Sequence, residues 1–188
     1  MSTEAITPTT LDTLQGTWTI DTSHSSVGFV ARHAMVTKVR GAFNDYSGTA
    51  VVGESLADSR VEVEIDANSV DTRSADRDAH LRSNDFFGTE DHAKITFVST
   101  SVAKTGDDSF DLTGDLTIKG TTKSVTIPLT FDGAATDPFG NFRAGFSGST
   151  VVNRKDFGLT WNAALETGGV LVSEKVTLEF DISAIKTA

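Results

Sequence analysis

The chain has 188 residues, no cysteine and a formal net charge of −10. This length suits one domain with a sizeable core, and the lack of cysteine excludes a disulfide framework, a thiolate nucleophile and a cysteine-based zinc or iron-sulfur site. The acidic balance repels polyanions, which argues against nucleic acid or an anionic membrane surface as a partner.

The first 15 residues are polar and rich in threonine. They have neither the basic start and apolar run of a signal peptide nor the length of apolar sequence that spans a bilayer. We therefore expect residues 1–15 to form a flexible arm and residues 16–188 to form one domain. The same pattern predicts a cytoplasmic location without stable membrane insertion.

The chain after this arm begins with alternating apolar and polar residues, the period of a half-buried strand. Strands are predicted over residues 17–21, 25–33, 37–43 and 46–52. The pair Asn44-Asp45 suits a tight turn between the last two. The first quarter of the domain is therefore a series of short, consecutive strands.

A change of period marks the middle of the chain. Residues 60–66 alternate as a strand, but residues 72–83 begin with Ser or Thr cap candidates and early carboxylates, which predicts a short helix. The apolar stripe of this helix is thin, so Phe86 and Phe87 are the expected anchors that hold it on the rest of the fold. The strand pattern resumes at residue 94.

Alternation is cleaner in the second half. Strands are predicted over residues 110–119, 124–131, 142–149 and 172–182. A second irregular or helical piece, residues 154–168, separates the last two. Roughly eight strands with one polar face each must bring their apolar faces together, as a sandwich or a closed antiparallel barrel does.

Several motifs resemble one known family, in the family's order. They lie at residues 23–29, 68–72, 76–81, 85–87, 95–97, 114–120 and 153–159. This pattern is similar to the YceI-like family, bacterial lipocalin-like proteins that bind polyisoprenoids, over residues 16–182. One departure is His92-Ala93, where the family has an aromatic residue followed by proline. The resemblance implies an antiparallel lipocalin-like β-barrel, which the glycines inside predicted strands also favour because they permit sharp curvature.

The side chains predicted to point inward are apolar but not uniformly bulky. The residues alone fit either a packed core or a ligand tunnel, whereas the resemblance implies a lipid-filled tunnel. The predicted lipid-binding residues are Phe29, Ala31, His33, Phe43, Phe86, Phe87, Phe97, Phe110, Leu116, Ile127, Leu129, Ala144, Phe146, Gly148, Phe157, Trp161, Val176 and Leu178.

A lipid with a phosphate or quinone head needs hydrogen-bond donors at the open end of the tunnel. Arg32, Arg40 and Arg154 are the head-group candidates in this acidic chain. No cofactor other than the bound lipid is expected. Asp76 and Asp78 are explained as carboxylates of a first helical turn, so no metal site is predicted.

The expected function is therefore sequestration, storage or transport of a polyisoprenoid, an isoprenoid quinone or a fatty amphiphile. No common catalytic motif is present in the sequence. Two alternatives stay open: an enzyme that acts on such a lipid with His33 or His80 as acid-base, and a ligand-free, stress-related interaction module. Pairing of two barrels into a homodimer also stays open.

Overall fold

A computed structural model describes residues 9–188 of the chain. Eleven strands and one α-helix make up its regular structure, joined by short 3₁₀ turns. The strands are β1 (Gly16–Ile20), β2 (Ser26–His33), β3 (Thr37–Phe43), β4 (Tyr46–Val52), β5 (Arg60–Asp66), β6 (Val70–Asp71), β7 (Lys94–Lys104), β8 (Ser109–Ile118), β9 (Thr121–Thr136), β10 (Phe142–Asn153) and β11 (Lys175–Lys186), and the helix is α1 (Ala75–Arg82).

The strands form a closed antiparallel barrel whose wall is eight strand positions wide, and we call each position a stave. Three of these staves consist of two strands each. β1 and β2 together pair with β4 and β3, as the partners Gly16 and Val52 and the partners Gly28 and Ala42 show. β5 and β6 continue the wall in the same way. β7 to β11 follow in chain order, and β11 returns to pair with both β1 and β2. The predicted antiparallel barrel of about eight strands is confirmed.

Glycines inside the strands make room for aromatic rings within the wall. The ring of Phe29 lies where a side chain at Gly41 would stand, and Phe97 covers Gly114 in the same way. Phe29 pairs directly with Gly41, and Phe97 pairs with Leu116, two residues from Gly114. A β-carbon at either glycine would displace the ring, so these positions curve the sheet without leaving a gap.

The two ends of the barrel are closed by different parts of the chain. We call the end that carries residues 9–15, 53–59 and the turn at 137–141 the plug end. The opposite end, which carries the turn at 34–36, residues 72–93 and residues 154–174, is the loop end. The predicted helical insert and the second irregular piece are both present at the loop end, the latter as a short turn, Arg154–Phe157, followed by extended chain.

The plug end requires a correction to the predicted arm of residues 1–15. Leu11 is only 1% exposed and Leu14 is also buried, and the Leu14 carbonyl accepts a 2.8 Å hydrogen bond from the Trp18 indole. The described part of the arm is therefore a plug in the barrel, while residues 1–8 lie outside the described range. Apolar burial outweighs the polar composition of the segment because two leucines three residues apart share one face.

The seam between the first and last staves is reinforced on the outside of the barrel. Arg143 on β10 donates to Asp21 at 2.6 Å across β11, the strand that carries Ser183, and to Asp137 in the turn before β10 at 2.7 Å. The guanidinium holds the pKa of both carboxyls well below their usual value. No helix among residues 9–188 is long and apolar enough to cross a bilayer.

Candidate functional site

The barrel encloses a cavity of about 290 Å³. Its lining runs from Leu11 and Leu56 at the plug end to Phe86 and Val172 at the loop end. The volume lies near the lower limit of known small-molecule sites, and the lining is almost entirely apolar. The site is therefore a narrow apolar channel along the barrel axis.

Most of the predicted inward-facing residues line this cavity. They come from every stave of the barrel and from the two segments that close the loop end. The predicted residues found in the lining are Phe29, Ala31, Phe43, Phe86, Phe87, Phe97, Phe110, Leu116, Ile127, Leu129, Phe146, Phe157, Val176 and Leu178.

Four predicted residues do not line the cavity: three from strands and Trp161 from the extended chain after Arg154–Phe157. His33 is exposed because β2 extends beyond the rim of the barrel at that point. Ala144 is buried in the wall, and a side chain at Gly148 would collide with the carbonyl of Pro128. Trp161 packs against Phe86 from the outside, with ring centroids 5.5 Å apart.

Some lining residues had no counterpart in the prediction. They are contributed mainly by the N-terminal plug, the first and last staves and the loop end: Leu11, Leu14, Trp18, Leu56, Val61, Leu159, Val172, Phe180, Ile182 and Ala184. The alternation of the last strand contained Phe180 and Ile182, and the spacing of Leu11 and Leu14 was a signal for the plug.

A polar network positions the helix α1 over the loop end. The Asp78 carboxylate accepts a 2.8 Å hydrogen bond from the Thr72 amide, and the Arg77 guanidinium donates hydrogen bonds to the Thr72 carbonyl and hydroxyl. Arg82 reaches back to the Asn68 carbonyl at 3.0 Å. These bonds compensate for the small apolar face of the helix, from which Leu81 alone enters the cavity lining.

Aromatic rings complete the closure next to α1. Phe86 stacks edge-on against His80, and Phe87 stacks edge-on against Phe43, with centroids 5.0 and 5.7 Å apart. His80 also contacts Trp161 and the Asp85 carboxylate. The expected anchoring of the insert by Phe86 and Phe87 therefore matches their positions, between the helix and the barrel.

Arg154 is the charged residue in the cavity lining, and it is only 5% exposed. Four of its five N–H donors bond to backbone carbonyls, those of Leu159, Trp161, Val172 and Ser173. Burial lowers the pKa of the guanidinium below its usual value. Because the nearby Glu174 pairs with Lys155 instead, this buried cation is held by carbonyl dipoles rather than by a carboxylate.

The other polar candidates are placed differently. Arg32 and Arg40 point away from the cavity, and Arg40 pairs with Glu179 on the outer face at 2.9 Å. Ser59 lines the cavity near the plug end, and its hydroxyl is buried without a partner among the described residues. His80 lies behind Phe86 and is not part of the lining, nor is His33.

The acidic residues around α1 do not converge on a common point. The Asp71 carboxylate accepts hydrogen bonds from the Asn44 side chain and from the Arg73 amide. The Asp78 carboxylate is hydrogen-bonded to Thr72, and the Asp85 carboxylate contacts His80. No group of three metal-ligating side chains is found within residues 9–188.

A family model described as the YceI-like domain matches residues 18–184. The chain belongs to the YceI-like family. A UPF0312 protein of Staphylococcus epidermidis is 40% identical to this YceI-like protein over 162 residues, which cover 85% of the present chain and 91% of the relative. A UPF0312 protein of Shewanella denitrificans is 44% identical over 145 residues, 76% of each chain.

Two solved structures have the same fold. The crystal structure of BcnA from Burkholderia cenocepacia aligns with a TM-score of 0.76 at 25% identity, over 87% of this chain and 98% of that chain. A domain of Saccharophagus degradans described as polyisoprenoid binding aligns with a TM-score of 0.71 at 18% identity, over 90% and 98% of the two chains.

Proposed function

We propose that this YceI-like protein binds one long-chain amphiphilic lipid in its barrel, for sequestration, storage or transport. The main support for this proposal is the apolar cavity, which runs from the plug end to the loop end and is lined by side chains of every stave. Each buried methylene contributes about 0.8 kcal/mol, so a narrow channel of this kind suits a linear hydrocarbon. A polyisoprenoid, an isoprenoid quinone and a fatty amphiphile all carry an apolar chain, of which a cavity of about 290 Å³ encloses one section.

The polar head of the lipid lies at the loop end in this proposal. Arg154 brings a positive charge to the cavity surface without a carboxylate partner, and one of its N–H donors is not used by the four carbonyls. An anionic or carbonyl-bearing head would accept that hydrogen bond and offset the cost of a buried charge. Of the three arginine candidates, Arg154 is the one that lies at the cavity, and the proposal assigns the head group to it.

A cavity-filling variant tests lipid binding directly. Ala31 lines the cavity from β2, so Ala31→Trp would occupy the space of the ligand. Ser149, on the exposed side of β10, provides the matched control Ser149→Trp. We expect organic extraction and mass spectrometry to recover lipid from the purified wild type and from Ser149→Trp, but not from Ala31→Trp.

Two results would contradict the proposal. One is a wild type that yields no extractable lipid and takes up no added long-chain isoprenoid. The other is equal lipid recovery from Ala31→Trp and wild type, since a lipid that tolerates this substitution lies outside the barrel. Conversion of the added isoprenoid to a new product would instead support an enzyme, for which the lining offers neither an imidazole nor a carboxylate.

A further inference from the structure

The turn between β2 and β3 projects from the loop end and exposes two adjacent apolar side chains. Met35 is 56% exposed and Val36 is 74% exposed. Single exposed apolar residues are ordinary on protein surfaces, but two neighbours at the apex of one turn form a continuous apolar tip. We refer to residues 32–38 as the hairpin tip.

The backbone of the hairpin tip is unfavourable for the residues that it carries. Ala34 and Met35 have φ angles of 51° and 62°, and the Val36 amide donates to the His33 carbonyl at 3.0 Å. Two consecutive positive φ angles suit Asn-Gly, because a β-carbon is disfavoured in the left-handed region. The chain therefore has methionine at a position of the turn where glycine would make the turn more stable.

The charge of this region is opposite to that of the whole protein. Residues 22–44 contain three arginines or lysines and no acidic residue, in a chain with a net charge of −10. Arg32 and Lys38 are register partners on adjacent strands. Neither of these two side chains forms an ion pair with any part of the chain that the structure describes, whereas Arg40 pairs with Glu179.

The segment packed against the hairpin tip forms hydrogen bonds with it but no ion pair among the described residues. The Ala34 amide donates to the Leu171 carbonyl at 2.7 Å, and the Arg32 amide donates to the Ser173 hydroxyl. In that segment Glu174 is already paired with Lys155. Glu166 is the carboxylate of the adjoining loop, and the neutral Gly169 is the loop residue beside the Met35 side chain.

An apolar residue at the plug end shows that exposure alone is not the signal. Phe139 is 88% exposed, more than either residue of the hairpin tip. Its turn, however, contains Asp137, and the neighbouring turn of the same end carries Asp107 and Asp108. The hairpin tip combines apolar exposure with two cations and no carboxylate of its own, whereas the turn of Phe139 combines apolar exposure with a carboxylate.

We propose that the hairpin tip docks peripherally on an anionic lipid bilayer. Met35 and Val36 enter the boundary between head groups and acyl chains, while Arg32 and Lys38 face the lipid phosphates. The two cations without an ion pair among the described residues, Arg32 and Lys38, attract the surface at short range, although the net charge of the protein opposes a broad approach. The docking surface adjoins the loop that closes the cavity, through the hydrogen bonds to Leu171 and Ser173.

Vesicle co-sedimentation of the full chain tests this inference. The vesicles contain phosphatidylcholine alone or phosphatidylcholine with about one third phosphatidylglycerol, which supplies the negative surface potential. We expect binding to the mixed vesicles only, weakened by added salt. Arg32→Gln with Lys38→Gln should weaken it about 25-fold, at about five-fold for each cation.

The apolar contribution has its own variant. Met35→Asn with Val36→Thr keeps a residue suited to positive φ and a β-branched residue, so the turn is preserved while binding falls on the order of ten-fold. Phe139→Ser and the charge control Arg60→Gln with Lys186→Gln, all at the plug end, should leave binding unchanged. Circular dichroism checks that every variant is folded.

Equal binding to both kinds of vesicle would overturn the proposal, as would no binding to either. Loss of binding with Phe139→Ser, but not with the tip variants, would move the surface to the plug end and overturn it as well. The measurement does not depend on what the cavity holds, so it fails or succeeds separately from the extraction experiment.

Discussion

The two ends of the barrel are closed by different kinds of interaction. At the plug end, Leu11 and Leu14 fill the opening with apolar side chains. At the loop end, α1 and the extended chain after Arg154 are held mainly by hydrogen bonds to backbone carbonyls, with Phe86 and Phe87 beneath them. Apolar packing loses contacts as soon as it is displaced, whereas water can replace hydrogen bonds one at a time.

This difference indicates how a lipid would enter the barrel. The loop end can open by exchanging protein hydrogen bonds for hydrogen bonds with water, and it also carries the charged group next to the cavity. The plug end has fewer such bonds, among them that from the Trp18 indole to the Leu14 carbonyl, and Leu11 and Leu14 would expose apolar surface when they move. We therefore expect exchange at the loop end and a static closure at the plug end.

Removal of the Arg154 side chain should have the largest effect on this comparison. Arg154→Met removes a donor from four buried or half-buried carbonyls, of which, among the described residues, only that of Val172 keeps a side-chain donor, Asn162, and this should lower the free energy of unfolding by about 3–5 kcal/mol. Chemical denaturation measures the loss. Arg154→Lys replaces the planar guanidinium with a single ammonium group, which cannot reach all four carbonyls. The stability of Arg154→Lys should therefore lie between those of the wild type and Arg154→Met. A loss below about 1 kcal/mol would show that the carbonyls are readily hydrated.

A matched pair of apolar truncations separates stability from exchange. Leu11→Ala at the plug end should cost about 2–3 kcal/mol, and Phe86→Ala at the loop end about 3 kcal/mol. Despite these similar costs, only Phe86→Ala should accelerate release of a bound fluorescent fatty acid in stopped-flow measurements. Faster release from Leu11→Ala, at an unchanged rate from Phe86→Ala, would place the entrance at the plug end.

Acid titration gives the smallest effect and applies to the seam at the plug end. The pKa of Asp21 and of Asp137 is lowered by Arg143 from the usual 3.8, so both carboxylates stabilise the folded state above that pH. Their contribution is lost as the pH falls through the folded-state pKa values. Arg143→Gln should thus be less stable than the wild type at neutral pH, and the difference should shrink below about pH 4.

The loop end provides the control for this titration. Arg154 bonds to carbonyls, which do not titrate, and Lys155 lowers the pKa of the nearby Glu174 carboxyl more than Arg154 does, so the stability difference between Arg154→Met and the wild type should change much less in the same acid range. A constant difference for Arg143→Gln would show that the two aspartates have ordinary pKa values.

The wall of the barrel was predictable from the sequence because strand period and burial coincide there. Phe97, Leu116 and Leu178 face the cavity as their alternation predicts. The alternation predicts the face of the sheet on which a side chain lies, but not its position along the barrel axis. His33 therefore lies beyond the rim, and Ala144 lies within the wall. A residue's position along the barrel axis depends on register with other strands, and one sequence does not specify that register.

The closures were less predictable because they depend on tertiary contacts of irregular chain. Composition assigned Leu11 to a flexible arm, although the opening of the barrel provides a place to bury it. Arg154 was expected to contact a head group, but four backbone carbonyls also bind it, and no local pattern indicates which carbonyls will be nearby. The sequence thus predicted the residues of the channel better than the construction of its ends.

The seam between β1 and β11 also bears on how the barrel folds. Most neighbouring staves are consecutive in the chain, but Trp18 must find Lys186 and Thr17 must bond to Ala188 before the barrel is closed. The entropic cost of bringing such distant segments together is high compared with that of a hairpin. The seam should therefore form last, and the Arg143–Asp21 pair, which bridges it, should slow unfolding more than it accelerates folding.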